Sequence, residues 1–321
     1  MFTVVIPLYN KAATVKRAIE SVLAQTLPPA EILVVNDGST DGGDKIARAI
    51  ADPRLRVIDQ PNGGVSRARN AGLRAASRPF VAFLDADDYW YPEFLARMAE
   101  LIEQHPGGVL YGAGFFTVEG DSIQEYHGIS TSPFDQRPAG VVDFFAERLR
   151  DFPLNASTMV VPQAAALAVG GFPEGVAFAE DHLFWAKLAL SGPVVIAPEP
   201  LSSYDIAVPG QAIGFWTTAY RERFDILEYH RFLADELRKQ VREGRSSDSF
   251  STLARRELRT AVLQRMYWGN FEAVTTIWRS LDLGGLGLGP LAAACAWVSR
   301  QRLLQPMAGA MLAAVRRLRR R

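Results

Sequence analysis

The chain is poor in cysteine and has no apolar run long enough to cross a membrane. Its 321 residues include one cysteine, Cys295, so an intramolecular disulfide and a cysteine-rich zinc site are both excluded. The stretch 283–298 carries no charged residue, but four glycines and Pro290 interrupt it, and it is shorter than the about 20 residues that a spanning helix needs. The amino terminus also lacks the basic segment of a secretory signal. These absences predict a protein of the cytoplasm.

Positive charge is scarce in the body of the chain and concentrated at its end. Lysine and arginine together number 35, as do aspartate and glutamate, but no acidic residue follows Asp282. Residues 299–321 contain seven arginines, which leaves 28 basic against 35 acidic residues in 1–298. An acidic body argues against nucleic-acid binding, because phosphates attract a basic surface. The basic tail suits peripheral contact with an anionic membrane surface, such as the inner face of the cytoplasmic membrane, or it is merely solvated.

Hydrophobic periodicity predicts an α/β fold. Apolar runs that are buried on both faces favour a mainly parallel sheet flanked by helices, because helices then cover each side. Shorter mixed elements follow from 109 to about 205, and a helical extension follows from about 216. The runs that predict strands in the first hundred residues are 3–6, 32–35, 55–58 and 80–84, and amphipathic stretches at 15–23, 46–50, 65–76 and 92–102 predict helices between and after them.

Two aspartates follow the strand predicted at 80–84. Asp85 and Asp87 form a D-x-D pair, and alternation along an extended chain points both side chains to the same side. Two carboxylates held this close repel each other unless a cation lies beside them, and hard divalent ions prefer oxygen ligands. The pair therefore predicts a Mg²⁺ or Mn²⁺ site, with a solvated turn as the alternative.

An aromatic residue and an isolated aspartate follow the first two strands. Tyr9 offers a ring on which a base can stack, and Asp37 can accept a hydrogen bond from a base N–H. The carboxyl ends of parallel strands meet at the edge where such sheets bind ligands. The alternative for Asp37 is a turn residue bonded to its own backbone.

A glycine-rich segment at 62–72 precedes and opens a predicted helix. Its glycines allow close approach of a ligand, and the helix start together with Arg67 or Arg69 favours an anion such as phosphate. The first strand is followed by Pro7-Leu8-Tyr9-Asn10 and not by G-x-G-x-x-G. A dinucleotide-dependent dehydrogenase is therefore disfavoured.

Four segments together resemble family 2 glycosyltransferases of the GT-A fold, a Rossmann-like architecture. They are VVIPLYN at 4–10, VVNDGSTD at 34–41, ARNAG at 68–72 and FLDADD at 83–88. The resemblance covers about residues 1–205. It implies an enzyme that moves a sugar from a nucleoside diphosphate, with UDP expected, to a hydroxyl group and inverts the anomeric centre.

The resemblance also implies roles for the matching positions. Pro7, Tyr9 and Asp37 are expected to hold the nucleoside, with Asp37 reading the base, and Arg69 is expected to lie near the donor phosphates. The D-x-D pair is expected to serve both the ribose and the Mg²⁺ or Mn²⁺ ion. The implied nucleotide-binding residues are Pro7, Tyr9, Asn10, Asp37, Arg69 and Asp85, and the implied metal ligands are Asp85 and Asp87.

An inverting transfer needs a base that removes the proton of the acceptor hydroxyl. The segment 170–184 contains Glu180-Asp181 at the start of a predicted helix, and the resemblance puts the base on Asp181, with Glu180 as the alternative. Acidic residues in a first helical turn are also favoured by the helix dipole alone. The residues themselves therefore leave a structural role open.

The implied organisation is a glycosyltransferase domain at 1–212, with a nucleotide-sugar half at 1–108 and an acceptor and base half at 109–212, followed by the extension at 213–321. The Gln-x-x-Arg-Trp element of processive synthases is absent, so we expect single transfers to a saccharide or lipid-linked acceptor of envelope, exopolysaccharide or lipopolysaccharide synthesis. The alternatives are a sugar-phosphate nucleotidyltransferase and a non-catalytic nucleotide-sugar-binding protein.

Overall fold

The computed structural model of the chain describes residues 1–119, 122–124, 138–149, 154–176, 179–205, 227–244, 248–267, 271–300 and 305. The chain divides into two compact units, Met1–Phe215 and Trp216–Arg321. The first unit holds the strands. Its strands are β1 (Phe2–Leu8), β2 (Glu31–Asn36), β3 (Leu55–Asp59), β4 (Phe80–Phe83), β5 (Tyr89–Trp90), β6 (Leu110–Glu119), β7 (Ser122–Gln124), β8 (Gly140–Val142), β9 (Met159–Pro162) and β10 (Val194–Asp205).

Helices alternate with these strands and cover the sheet. A 3₁₀ turn at Ala156–Thr158 precedes β9. The helices of this unit are α1 (Val15–Leu23), α2 (Gly43–Arg48), α3 (Val65–Ala75), α4 (Phe94–Gln104), α5 (Phe144–Arg148), α6 (Gln163–Ala168) and α7 (Glu180–Ser191).

One mixed sheet runs through the unit in the order β3-β2-β1-β4-β9-β6-β10-β5, with β7 beside β6 and β8 beside β10. The four N-terminal strands β1 to β4 pair in parallel, as the sequence predicts. Further along the sheet, β9 is antiparallel to both of its neighbours, whereas β6 and β10 pair in parallel. The prediction of a mainly parallel sheet therefore describes the first half, and the second half is mixed.

Alternate residues of β1 face the two helical layers, and all seven of its residues are buried. Val4 and Ile6 pack into a core with Ile19 of α1 and Met98 of α4. Val5 faces the opposite side, where α3 packs against the sheet. Burial on both faces explains why β1 is a continuous apolar run and not an alternating one.

The register of β1 brings three strand ends to the same edge. Leu8 is opposite Asn36 of β2, and Val5 is opposite Phe83 of β4. The residues that follow these strands therefore emerge side by side. They include Tyr9, Asp37 and Asp85.

The second unit is helical in the part that the structure describes, and it packs around buried side chains such as Leu237, Leu258 and Ile277. The helix predicted from 216 to 240 begins at Leu227 among the described residues, and most of the tail lies outside them. We find no described helix with the length and hydrophobicity of a membrane span. The helices are α8 (Leu227–Arg242), α9 (Ser249–Tyr267), α10 (Phe271–Ser280) and α11 (Pro290–Arg300).

Candidate active site

A cavity of about 460 Å³ opens at the edge of the sheet where the strand ends meet. Its walls come from the ends of β1, β2 and β4 and from the starts of α3 and α7. All of the sequence-predicted site residues except Asn10 line it. These are Pro7, Tyr9, Asp37, Arg69, Asp85, Asp87, Glu180 and Asp181.

Asn10 lies beside the cavity and joins two loops. Its φ angle of 50° places it in the left-handed region, which asparagine tolerates better than most residues. Its Oδ1 accepts a hydrogen bond from the Thr40 N–H at 2.8 Å, and its own N–H donates to Ser39 Oγ. The structure therefore gives Asn10 a part in fixing the loops after β1 and β2.

Asp37 is buried and its carboxylate already accepts three hydrogen bonds. Gln60 Nε2 donates to Oδ1 at 2.6 Å, and the N–H groups of Gly63 and Gly64 donate at 2.9 and 2.8 Å. These bonds hold the glycine-rich loop before α3 against the end of β2. Two carboxylate oxygens offer about four acceptor positions, so Asp37 retains room for one further donor, such as a base N–H.

Arg69 lines the cavity and lies between two carboxylates. Its side chain is 4% exposed; Nη2 donates to both oxygens of Asp85 at 2.8 and 3.0 Å, and Nη1 donates to Glu180 at 3.1 Å. Burial acts to lower the pKa of Arg69, but Asp85 and Glu180 outweigh it and raise that pKa. Arg69 thus joins the start of α7 to the turn after β4. Arg67, by contrast, is exposed.

Asp87 carries the second carboxylate of the D-x-D pair and forms an ion pair with a different basic residue, Lys11. Lys11 Nζ lies 2.7 Å from Asp87 Oδ2. Among the described residues no group of three or more His, Cys, Asp or Glu side chains is arranged to hold a metal ion. Mg²⁺ is commonly bound by one or two carboxylates together with substrate phosphates, and Asp85 and Asp87 on the same wall fit that arrangement.

Glu180 and Asp181 begin α7 inside the cavity, immediately after Ala179 at a φ angle of 59°. Asp181 Oδ1 accepts a hydrogen bond from the His182 N–H at 2.7 Å. Burial raises the pKa of both carboxyls; for Glu180 it reaches about 7, with the negative charge of Asp181 adding to the effect and Arg69 opposing it. Two buried acids whose protonation depends on each other are suited to proton transfer.

Further residues contribute to the site, and most of them carry no clear sequence signal. Ser157 supports the D-x-D turn: its Oγ accepts from the Asp85 N–H at 3.0 Å and donates to the buried Asp88. Burial raises the pKa of Asp88 well above its usual range, and the negative charges of Asp85 and Asp87 add to this effect. Asp88 was visible in sequence as the residue next to the pair, whereas Ser157 lies 72 positions beyond Asp85. Lys11, Asn155 and Tyr204 also line the cavity.

Comparison with known proteins finds that this chain is similar to glycosyltransferases. Residues 3–159 match the family model described as Glycosyl transferase family 2. The chain is 39% identical over 123 residues to the uncharacterised glycosyltransferase EpsJ of Bacillus subtilis, and 31% identical over 136 residues to the glycosyltransferase GlyA of Streptococcus pneumoniae. These matches cover 38% and 42% of this chain, but 36% and 20% of the relatives. The chain therefore spans little more than a third of the first relative and a fifth of the second.

A solved structure shows the same fold over nearly the whole length. Staphylococcus aureus TarS 1–349 in complex with UDP-GlcNAc has a TM-score of 0.68 to this chain, at 21% sequence identity, and the match covers 96% of this chain and 92% of that one. A second structure, TarS 1–349 in complex with UDP, has a TM-score of 0.57 at 19% identity. At these identities the likeness concerns the fold.

Proposed function

The chain belongs to glycosyl transferase family 2 through its residues 3–159, and on this premise we propose that it transfers a sugar from a UDP-linked donor to an acceptor hydroxyl with inversion. The observation that carries the proposal is the single cavity in which Asp37, Arg69 and Asp85 face Glu180 and Asp181. Residues suited to a nucleotide diphosphate and residues suited to proton removal thus share one space, as the transfer requires.

The nucleotide end of the cavity offers a ring and an acceptor to a nucleoside base. Tyr9 is 49% exposed at its rim and presents its ring for stacking, and Asp37 retains acceptor capacity after its three bonds to the loop. The bound UDP-GlcNAc of the similarly folded TarS makes UDP-GlcNAc the first donor to test. Arg69, close to the same wall, supplies positive charge toward the phosphates.

Asp181 is the better placed of the two acids to act as the base. The Glu180 carboxylate is engaged by Arg69 at 3.1 Å, which ties it to Asp85, whereas Asp181 lines the cavity without such an ion pair in the described residues. In the proposed step, an Asp181 oxygen takes the acceptor hydroxyl proton as that hydroxyl oxygen attacks the anomeric carbon and UDP departs. Attack opposite to the leaving group inverts the centre.

The excess negative charge of the cavity favours a cation beside the diphosphate. Among the described residues, five acidic and two basic side chains line it, so a diphosphate would enter a site with excess negative charge. Asp85 and Asp87 would hold a Mg²⁺ or Mn²⁺ ion, which when bound neutralises charge on the departing UDP. Arg69 and Lys11 contribute fixed positive charge next to these two acids.

The acceptor is proposed to be a saccharide or a lipid-linked saccharide of envelope polysaccharide synthesis, including exopolysaccharide and lipopolysaccharide. The absence of a Gln-x-x-Arg-Trp element supports single, non-processive transfers. The arginine-rich tail supports a location in the cytoplasm, with peripheral contact at the inner face of the membrane.

The test is UDP release from UDP-GlcNAc and other UDP-sugars, with water as acceptor, in Mg²⁺ or Mn²⁺ and in EDTA. We expect metal-dependent release from at least one donor and a loss of at least about 100-fold in Asp181→Asn, because general base catalysis contributes that much. The exposed Asp235 of α8 offers a matched control, and Asp235→Asn should keep the wild-type rate. No release from any donor, combined with no thermal stabilisation by UDP, would contradict the proposal.

A further inference from the structure

Helix α3 lines the nucleotide side of the cavity. It also makes hydrogen bonds to residues 172–174, which precede α7 in the chain. Asn70 is buried, with 3% of its surface exposed. Its Nδ2 donates to the Phe172 carbonyl at 2.8 Å and to Glu174 Oε1 at 2.9 Å, and its Oδ1 accepts from the Phe172 N–H at 2.8 Å. One side-chain amide therefore satisfies both backbone groups of Phe172, a residue 102 positions away.

The chain beside Phe172 is built for this close approach. Gly171 has a φ angle of 67°, and a Cβ at this position would lie 2.5 Å from Asn70 Oδ1. A residue with a side chain would thus be strained by its backbone conformation and would also collide with the amide. The hydrogen bonds between Asn70 and Phe172 therefore depend on glycine at position 171.

The ring of Phe172 packs directly against α7. It stacks on Phe184 with ring centroids 4.1 Å apart, and it meets Phe83 of β4 edge-on at 5.2 Å. The guanidinium of Arg69 lies over the same ring at 5.2 Å from its centroid. Phe184 is one helical turn beyond Glu180, so a fixed Phe172 fixes the first turn of α7 against the sheet.

We propose that Asn70 is a positioning residue for the carboxylates of Glu180 and Asp181. This inference rests on the proposed function, in which Asp181 is the base. Asn70 itself does not line the cavity; it acts through Phe172 and Phe184. Proton transfer requires the base within hydrogen-bond reach of the acceptor, and a displacement of about 1 Å can cost about 100-fold in rate.

The first measurement compares Asn70→Ala with the loss of another side-chain amide, that of Gln163 in α6, which also holds α3 in place. Gln163 Nε2 donates to the carbonyls of Leu73 and Ala76 at the far end of α3, so Gln163→Ala loosens α3 without touching Phe172. With UDP-GlcNAc as donor, Asn70→Ala should lower kcat for UDP release about 10- to 100-fold. Its Kd for UDP should stay within about threefold of wild type, and Gln163→Ala should keep kcat within about twofold.

The decisive measurement is a double-mutant cycle between Asn70→Ala and Asp181→Asn. If Asn70 acts by placing the base, it should matter little once the base is gone, so Asn70→Ala should lower the residual rate of Asp181→Asn by less than about twofold. Independent, multiplying losses would show a general structural defect and overturn the inference. Equal losses of kcat in Asn70→Ala and Gln163→Ala would overturn it as well.

A second variant guards against misfolding of Asn70→Ala. Phe184→Leu keeps an apolar side chain in the core but removes the ring stack on Phe172, and it should reproduce the loss of kcat at unchanged Kd for UDP. A wild-type kcat in this variant would overturn the inference. Full activity of Asp181→Asn would instead overturn the base assignment in the proposed function, so the two failures are distinguishable.

Discussion

At the residue scale, the site is organised around a buried cation. A buried guanidinium is tolerated only when it is paired, because desolvation of an isolated charge is costly. Arg69 meets this requirement with Asp85 on one side and Glu180 on the other. The pairing links the turn after β4 to the helix that carries the acids. In the proposed function, the charge of a diphosphate beside Asp85 would therefore act through Arg69 on the acids of α7.

The acids at the start of α7 predict a pH-dependent rate. Burial, reinforced by Asp181, raises the pKa of Glu180 to about 7, and burial also raises the pKa of Asp181. The proposed base Asp181 works only when ionised, so the rate of UDP release at saturating donor should rise with pH over a range above that of an ordinary aspartate. In Glu180→Gln one negative charge beside Asp181 is gone, so Asp181 ionises more easily and this rise should move to lower pH.

The measurement is initial rates between pH 5 and pH 9 for both proteins, normalised to the folded fraction. Asp235→Asn serves again as a carboxyl-to-amide change outside the site, and in this variant the rate should rise over the same pH range as in the wild type. If the pH range of the rise is also unchanged in Glu180→Gln, the two carboxyls of α7 do not titrate together.

At the element scale, α3 owes its position to a glycine. A Cβ on Gly72 would lie 2.3 Å from Val5 Cγ1 of β1, so the helix backbone lies directly on the sheet. This close contact sets the height at which Arg69 and Asn70 project from α3. Glycine is otherwise unfavourable within a helix, by about 1 kcal/mol relative to alanine. Close packing therefore outweighs helix propensity here.

Gly72→Ala should destabilise the protein by about 1–3 kcal/mol despite the gain in helix propensity, because the added methyl group forces α3 away from β1. Urea denaturation measures the change in unfolding free energy. Gly284→Ala is the matched control, since a Cβ there meets no atom within 4 Å, and its effect should stay within about 0.5 kcal/mol. Equal effects of the two substitutions would contradict the close packing of α3.

The elements differ in how far sequence predicts them. Strands β1 and β2 are continuous apolar runs, and their existence, direction and polar ends are predicted correctly. The position of β9 between β4 and β6 is not predictable, because strand order depends on contacts between distant segments. The length of β6 is not predictable from periodicity either, since the strand continues through Gly112 and Gly114, which break the apolar run.

The same contrast holds within the site. The acids at 85 and 87 are predicted because they stand at a strand end, which is a local feature, whereas Glu180 and Asp181 at a helix start are singled out by the resemblance to family 2 glycosyltransferases. The pairing of Arg69 with Glu180 spans 111 positions, and the three donors on Asp37 come from a loop whose path is tertiary. Sequence assigned Asp37 to base reading; the structure adds that it fixes the glycine-rich loop.

At the scale of the whole molecule, the evidence for family membership is concentrated in the first half of the chain. The family model ends at residue 159, before Glu180 and Asp181, so the role of these acids depends on the geometry of the cavity. The second unit, Trp216–Arg321, carries no motif that we recognise.

The arginines at the end of the chain give the last prediction. Each basic residue near an anionic bilayer contributes about 1 kcal/mol of binding, and five of the seven basic residues in the tail fall within 316–321. Replacing all five by alanine should largely abolish co-sedimentation with phosphatidylglycerol vesicles at physiological salt. Replacing the same five by lysine keeps the charge and should preserve binding. Equal sedimentation of the alanine and wild-type proteins would show that the tail does not contact the membrane surface.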